Sequence, residues 1–114
     1  MIDKYKLERA AMLARKYELI LQPRKYHIAL SGSALYGNAA NRPTKKEDFD
    51  FHIYPHVYDG QVADEEPKTI LQWLPVTVKD SDSEGHEYSH IVYDVYVCHD
   101  RDSGERVDFF FLNA

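Results

Sequence analysis

The sequence has a single cysteine, Cys98, and lacks any apolar stretch that approaches the length of a membrane-spanning helix. One cysteine excludes an internal disulfide, and sparing use of cysteine is typical of a reducing cytoplasmic compartment. Cys98 lies in the apolar run IVYDVYVC, which favours a core position over a reactive one. The N-terminus is charged and amphipathic, so no signal peptide is expected. These features predict a soluble cytoplasmic protein with no membrane association.

Basic residues are scarce in the second part of the chain. Residues 47–114 contain sixteen acidic and four basic residues, and the formal net charge of the whole chain is −5. Residues 24–46, in contrast, contain five basic residues and no acidic one. Broad nucleic-acid binding normally requires a basic face, so it is not expected here. A local basic segment suits a small ligand that carries phosphate.

Hydrophobic residues are plentiful, at 44% of the chain, and aromatic residues make up 13%. This composition predicts a packed globular fold rather than disorder. A chain of 114 residues can bury one hydrophobic core but is too short for two. We therefore expect one domain over residues 1–114.

Hydrophobic periodicity predicts both helices and strands. The predicted helices cover residues 3–22, which Pro23 stops, 33–40 and 67–74. The apolar face expected for the first helix is Tyr5, Ala10, Leu13, Ala14, Tyr17 and Leu21. The predicted strands cover residues 27–30, 49–54, 76–78, 91–98 and 106–112. Polar loops are expected over residues 41–47, 56–66 and 79–89.

The stretch from Tyr26 to Tyr54 contains the strongest pattern in the chain. A short apolar run breaks at Ser31-Gly32-Ser33, and the stretch closes with the alternating run DFDFHI. That alternation predicts one strand face with Phe49, Phe51 and Ile53 and an opposite face with Asp48, Asp50 and His52. Carboxylates two residues apart on a strand lie about 6.5–7 Å apart at Cα, close enough to share one or two hard cations.

Two further features belong to the same candidate site. The turn at Gly32 and Ser33 opens a predicted helix, whose free backbone N–H groups attract phosphate. Asp108 lies beside an apolar run of three phenylalanines, where an unpaired carboxylate is costly, so a metal ion or a hydrogen-bond partner is expected. Asp94, in the preceding predicted strand, competes with Asp108 as a third carboxylate.

Taken in order, these motifs resemble the nucleotidyltransferase superfamily related to DNA polymerase β. Its signature is a hydrophobic strand, Gly-Ser or Gly-Gly, a short helix, Asp-x-Asp on the next strand and a third carboxylate on a later strand. The resemblance covers residues 28–112, with matches at Gly32, Ser33, Asp48, Asp50 and Asp108. It implies an α+β fold with a small nucleotidyltransferase-like core, in which helices flank a mixed sheet of about four to five strands.

The resemblance also implies a chemistry. Asp48 and Asp50 would bind two Mg²⁺ ions, and Asp108 would bind the ion nearer the attacking hydroxyl. The Gly32 backbone and the Ser33 hydroxyl would hold the phosphates of ATP or another nucleoside triphosphate. A nucleoside monophosphate, AMP in the favoured case, would pass to an acceptor hydroxyl. The expected partners are the nucleotide and a protein that serves as the acceptor or as a binding partner.

A different class of function stays open beside this one. Minimal members of the superfamily usually carry an arginine shortly after the glycine-serine pair, whereas this chain has Ala34, Leu35 and Tyr36. The alternative is a catalytically inactive protein of the same fold that acts as a protein-binding or inhibitory module.

The histidines provide a third, less favoured interpretation. His52 and His56, and likewise His86 and His90, are four residues apart, a spacing that recurs in zinc sites. Carboxylate-rich surroundings and a single thiol favour hard cations over zinc. The histidines are therefore expected to be ordinary, partly exposed residues.

Overall fold

The computed structural model describes residues 4–31, 48–58, 60–88 and 91–113. Within these ranges the helices are α1 (Lys4–Leu21) and α2 (Pro67–Trp73). The strands are β1 (Tyr26–Ser31), β2 (Asp48–Pro55), β3 (Val57–Tyr58), β4 (Gln61–Val62), β5 (Val76–Tyr88), β6 (Ile91–Asp100) and β7 (Arg106–Asn113). The short helix predicted over residues 33–40 and the loop predicted over 41–47 lie outside the described residues.

Five strands form one mixed sheet in the order β1-β2-β7-β6-β5. β2 and β7 run parallel, whereas every other pair of neighbours in this sheet is antiparallel. β3 and β4 form a separate antiparallel pair. The expected α+β class with a mixed sheet is confirmed.

The hydrophobic core lies between α1 and one face of the sheet. The two central strands contribute register partners that are all buried: Phe49 with Val107, Phe51 with Phe109, and Ile53 with Phe111. The Tyr17 ring of α1 meets the rings of Phe51 and Phe109 edge-on, at centroid distances of 5.9 and 5.5 Å. The alternation predicted for β2 is confirmed, so its polar positions Asp50 and His52 lie on the opposite face.

The first helix was predicted well, with one error on its apolar face. α1 ends at Leu21, and Pro23 lies in the 3₁₀ turn Gln22–Arg24 that follows it. Tyr5, however, is 73% exposed, whereas Tyr17 is fully buried. Twelve residues at about 100° each place Tyr5 roughly 120° around the helix from Tyr17, which turns it away from the sheet.

The second helix begins at Pro67, as predicted, because proline fits the first helical position, where its missing N–H costs nothing. Ile70 and Leu71 are buried, and Leu74 is already extended just before Pro75. No helix within the described ranges is both long and apolar enough to cross a membrane.

The edge strand β5 is much longer than the sequence predicts. A strand was expected only over residues 76–78, yet β5 continues to Tyr88 and pairs with β6, with two register shifts. The loop prediction is therefore wrong for residues 79–88, because β6 provides backbone hydrogen-bond partners that local composition does not reveal. The loop predicted over 56–66 likewise contains the β3–β4 hairpin, whose turn includes Gly60 at φ +74°.

Candidate functional site

Two of the three predicted carboxylates lie side by side where the central strands pair. In the parallel β2–β7 register, Asp50 is the partner of Asp108. Register partners on neighbouring strands project to the same side of a sheet, and these strands lie about 4.8 Å apart. Asp50 and Asp108 therefore share the face that points away from α1. Residues far apart in sequence thus form one carboxylate pair.

The Asp108 side chain is buried and is held by an arginine from its own strand. Only 6% of Asp108 is exposed. Arg106 donates from Nε to Oδ1 and from Nη2 to Oδ2, both at 3.0 Å, so the pairing is bidentate. The partner that burial of this carboxylate requires is a guanidinium, and the sequence analysis did not identify it. The spacing of two residues along a strand, which puts both side chains on one face, was the available signal.

Of the remaining predicted site residues, the structure describes only Asp48, and only through its backbone. Asp48 begins β2 and is the register partner of Arg106. Gly32 and Ser33 lie outside the described residues. Ser31, the last residue of β1, is the register partner of Asp50, so this end of β1 lies beside the carboxylate pair.

Asp94, the competing third carboxylate, lies on the other side of the sheet. Its register partner is Phe111, whose side chain belongs to the core face. Asp94 and Asp50 therefore project to opposite faces, and a single ion cannot bind both.

Next to the carboxylate pair, on the same face, lie an imidazole and a phenyl ring. His52 and Phe110 are register partners, and their rings meet edge-on at a centroid distance of 5.3 Å. Burial lowers the pKa of His52, which favours the neutral imidazole. This face of the sheet is thus charged at Asp50 and Asp108 and neutral at His52 and Phe110, two residues further along each strand.

Asp100 is a buried carboxylate whose importance the sequence analysis missed. It is 1% exposed, and its Oδ2 accepts from the Tyr17 hydroxyl at 2.5 Å and from Lys16 Nζ at 2.8 Å. Its Oδ1 accepts the backbone N–H groups of Asp102 and Ser103 at 3.0 Å. Desolvation opposes the charge, but these hydrogen bonds outweigh it and lower the pKa of Asp100 to about 2. These hydrogen bonds use both oxygens of Asp100 to hold α1 against the turn that follows β6. Asp100 therefore anchors the fold and is not a candidate for catalysis.

The histidines form a contact that differs from the predicted pairs. Nε2 of His27 lies 2.8 Å from Nδ1 of His56, and Nδ1 of His27 lies 3.4 Å from Glu18 Oε1. Among the described residues, no group of three or more His, Cys, Asp or Glu side chains is arranged to hold a metal ion. The side chains of Asp48 and His86, and all of His90, lie outside that description.

Cys98 is a core residue, as predicted. It is fully buried, and desolvation together with the nearby charge of Asp108 raises the pKa of its thiol to about 12. The thiolate is the nucleophilic form of cysteine, so Cys98 is unsuited to nucleophilic catalysis at neutral pH.

Comparison of the chain with protein-family models, with curated proteins and with solved structures found no match. The described residues define an α+β protein whose parallel central strands carry paired carboxylates on one face and the helix-covered core on the other. One of those carboxylates, Asp108, is neutralised by Arg106.

Proposed function

We propose that this protein is a magnesium-dependent nucleotidyltransferase that transfers a nucleoside monophosphate, AMP from ATP in the favoured case, to an acceptor hydroxyl. The observation that supports it most is the register of β2 and β7, which makes Asp50 and Asp108 neighbours on one face. The two aspartates come from separate motifs, the Asp-x-Asp run and the late Val-Asp strand. Chance would have placed them on opposite faces as readily as on the same one.

The donor atoms of this site suit magnesium. Mg²⁺ binds oxygen ligands and is usually held by one or two carboxylates together with substrate phosphates. Asp50 and Asp108 supply such oxygens from adjacent strands, and Asp108 is paired with the cationic side chain of Arg106. Asp48, two residues before Asp50 on β2, is the third proposed ligand.

Each residue has a defined role in the proposed reaction. Asp48 and Asp50 would hold the metal ions, and Asp108 would bind the ion nearer the attacking hydroxyl and assist removal of the hydroxyl proton. The Gly32 backbone and the Ser33 hydroxyl hold the β and γ phosphates. The acceptor oxygen forms a bond to the α phosphorus, the bond from that phosphorus to the β-bridging oxygen breaks, and pyrophosphate leaves with the electron pair. When bound, Mg²⁺ would neutralise the triphosphate and the charge that develops on the leaving group.

Calorimetric titration of ATP, with and without Mg²⁺, tests this proposal. Wild-type protein should bind ATP only when Mg²⁺ is present, and Asp50→Asn and Asp48→Asn should each weaken that binding at least about tenfold by removing a charged ligand. Asp94→Asn is the matched control, because it removes a carboxylate from the opposite face and should leave binding unchanged. Equal binding by the Asp50→Asn variant and the wild type would refute the proposed site.

A second candidate function is a protein-binding or inhibitory module without catalysis. The bidentate ion pair between Arg106 and Asp108 favours it, because that pair satisfies the buried carboxylate with no metal ion. The same titration separates the two candidates. A wild-type protein that does not respond to Mg²⁺ and ATP supports the binding module, and a search for protein partners would follow.

A further inference from the structure

The guanidinium of Arg106 occupies both oxygens of a carboxylate that the proposed function assigns to a metal ion. We propose that Arg106 is an exchangeable cation: it neutralises Asp108 while the site is metal-free, releases Asp108 to a divalent ion, and then binds the nucleotide's phosphates. This inference rests on the proposed function. It adds a positioning residue that nothing in the chain's resemblance to other proteins assigns.

Burial explains why Asp108 needs a cation at every stage. The carboxylate side chain is 9% exposed, and a buried carboxylate that loses its partner strongly destabilises the folded protein. If a metal ion replaces Arg106, Asp108 is never buried without a cationic partner. If Arg106 simply moved away, Asp108 would be left unpaired. The structure pairs Asp108 with Arg106, which supplies this cation.

Electrostatics explains why the two cations compete. A magnesium ion bound directly to Asp108 would coordinate an oxygen that now accepts from Arg106 at 3.0 Å. A divalent ion and a guanidinium on one carboxylate repel each other strongly in a partly buried site. Metal binding therefore favours a conformation in which Arg106 has moved away.

The position of Arg106 allows this movement. Its side chain is 37% exposed, in contrast to the enclosed Asp108, and it begins β7 immediately after the β6–β7 turn. On the neighbouring strand its register partner is Asp48, so it lies at the same end of the sheet as the Asp-x-Asp motif. A planar guanidinium matches phosphate in the same bidentate manner as carboxylate, which makes the nucleotide's phosphates its natural second partner.

The proposal predicts opposite effects of one substitution on two ligands. In Arg106→Gln the competing charge is absent, so Mn²⁺, measured by electron paramagnetic resonance without nucleotide, should bind about tenfold tighter. The same variant should bind Mg²⁺-ATP about tenfold more weakly in calorimetry, because a phosphate contact is lost. A purely structural role for Arg106 would weaken both. Arg101→Gln, at an exposed arginine whose Nη2 contacts the Leu74 carbonyl oxygen at 3.4 Å, is the matched control and should change neither affinity.

The outcomes separate this inference from the proposed function. Asp50-dependent Mn²⁺ binding that Arg106→Gln leaves unchanged would overturn the exchange and leave the metal site intact. Absence of Mn²⁺ binding in both the wild type and Arg106→Gln would overturn both proposals. If circular dichroism shows that Arg106→Gln does not fold, Arg106→Lys replaces it. Lysine keeps the charge but cannot pair in bidentate fashion, so it holds Asp108 less firmly and should tighten Mn²⁺ binding by less than Arg106→Gln would; an unchanged affinity would overturn the exchange.

Discussion

At the scale of single residues, the buried carboxylate of Asp100 fixes α1 to the β6–β7 turn. It accepts from Lys16 and Tyr17 of the helix and from the backbone of Asp102 and Ser103 in the turn. The Tyr17 hydroxyl pairs with Asp100 while its ring packs in the core, and burial raises the pKa of this phenol. One carboxylate therefore joins elements more than eighty residues apart in sequence.

Replacing Asp100 with Asn should lower the free energy of unfolding by about 2–4 kcal/mol, because the amide cannot accept from all these donors and leaves Lys16 without its buried partner. Urea unfolding at pH 7 measures the loss. Asp102→Asn is the control, since Asp102 also contacts Lys16 at 2.8 Å but its side chain is 72% exposed. Asp102→Asn is expected to lose less than about 1 kcal/mol of unfolding free energy. Equal losses in the two variants would contradict the anchoring role.

The pKa of Asp100 gives this stabilisation a defined pH dependence. In the folded protein the pKa is about 2, below the value of about 3.9 expected when the chain is unfolded. The stabilisation is therefore complete above the unfolded pKa and is lost as the pH falls toward the folded pKa. Between about pH 5 and pH 1.5 the wild type should lose about 2–3 kcal/mol of unfolding free energy that Asp100→Asn does not lose. Urea unfolding at several pH values across this range tests the prediction. If the unfolding free energies of the wild type and Asp100→Asn changed with pH in parallel, the prediction would be wrong.

At the scale of elements, the β6–β7 turn depends on a left-handed glycine. Gly104 has φ +75°, and its N–H donates to the Asp100 carbonyl at 2.8 Å. A Cβ atom on Gly104 would meet no atom within 4 Å, so Gly104→Ala should cost only the conformational term of about 1 kcal/mol. Thermal unfolding measures this. Gly60→Ala, at φ +74° in the small β3–β4 hairpin, should cost less because that hairpin lies outside the main sheet. A larger loss of stability in Gly60→Ala than in Gly104→Ala would contradict this prediction.

Elements with strong periodic patterns were predictable, and elements that depend on a neighbouring strand were not. The apolar stripe of α1 and the alternation of β2 determine which face is buried, because each face must pack against something apolar. Residues 79–88 have no such pattern, and their strand conformation in β5 follows from pairing with β6. The β3–β4 hairpin was missed for the same reason.

At the scale of the whole molecule, the sheet separates packing from the proposed chemistry. One face carries the aromatic core under α1, and the other carries Asp50 and Asp108. A parallel pair requires a crossover connection, and here all of β3 to β6 lies between β2 and β7 in sequence. Substitutions on the carboxylate face therefore leave the core packing intact, which is why the Asp48→Asn and Asp50→Asn variants are expected to fold.

Cys98 provides a probe of global unfolding. Because its thiol is fully buried and its pKa is raised to about 12, a disulfide reagent at pH 8 should label the native protein more than about a hundredfold more slowly than the urea-unfolded chain. Asp100→Asn should speed native labelling in proportion to its lost stability. Fast labelling of the native wild type would show that the core opens locally.

Local patterns in the sequence are enough to predict the α+β class, the buried faces of α1 and β2, and the candidate residues Gly32, Ser33, Asp48, Asp50 and Asp108, because periodicity and motif spacing are local properties of a chain. The folded arrangement is needed to see that Asp50 and Asp108 are neighbours, that Arg106 neutralises Asp108, and that Asp100 joins the helix to the hairpin. These relations depend on which strands pair and in what register. That choice is made by backbone hydrogen bonding and burial summed over distant segments, which no local pattern records.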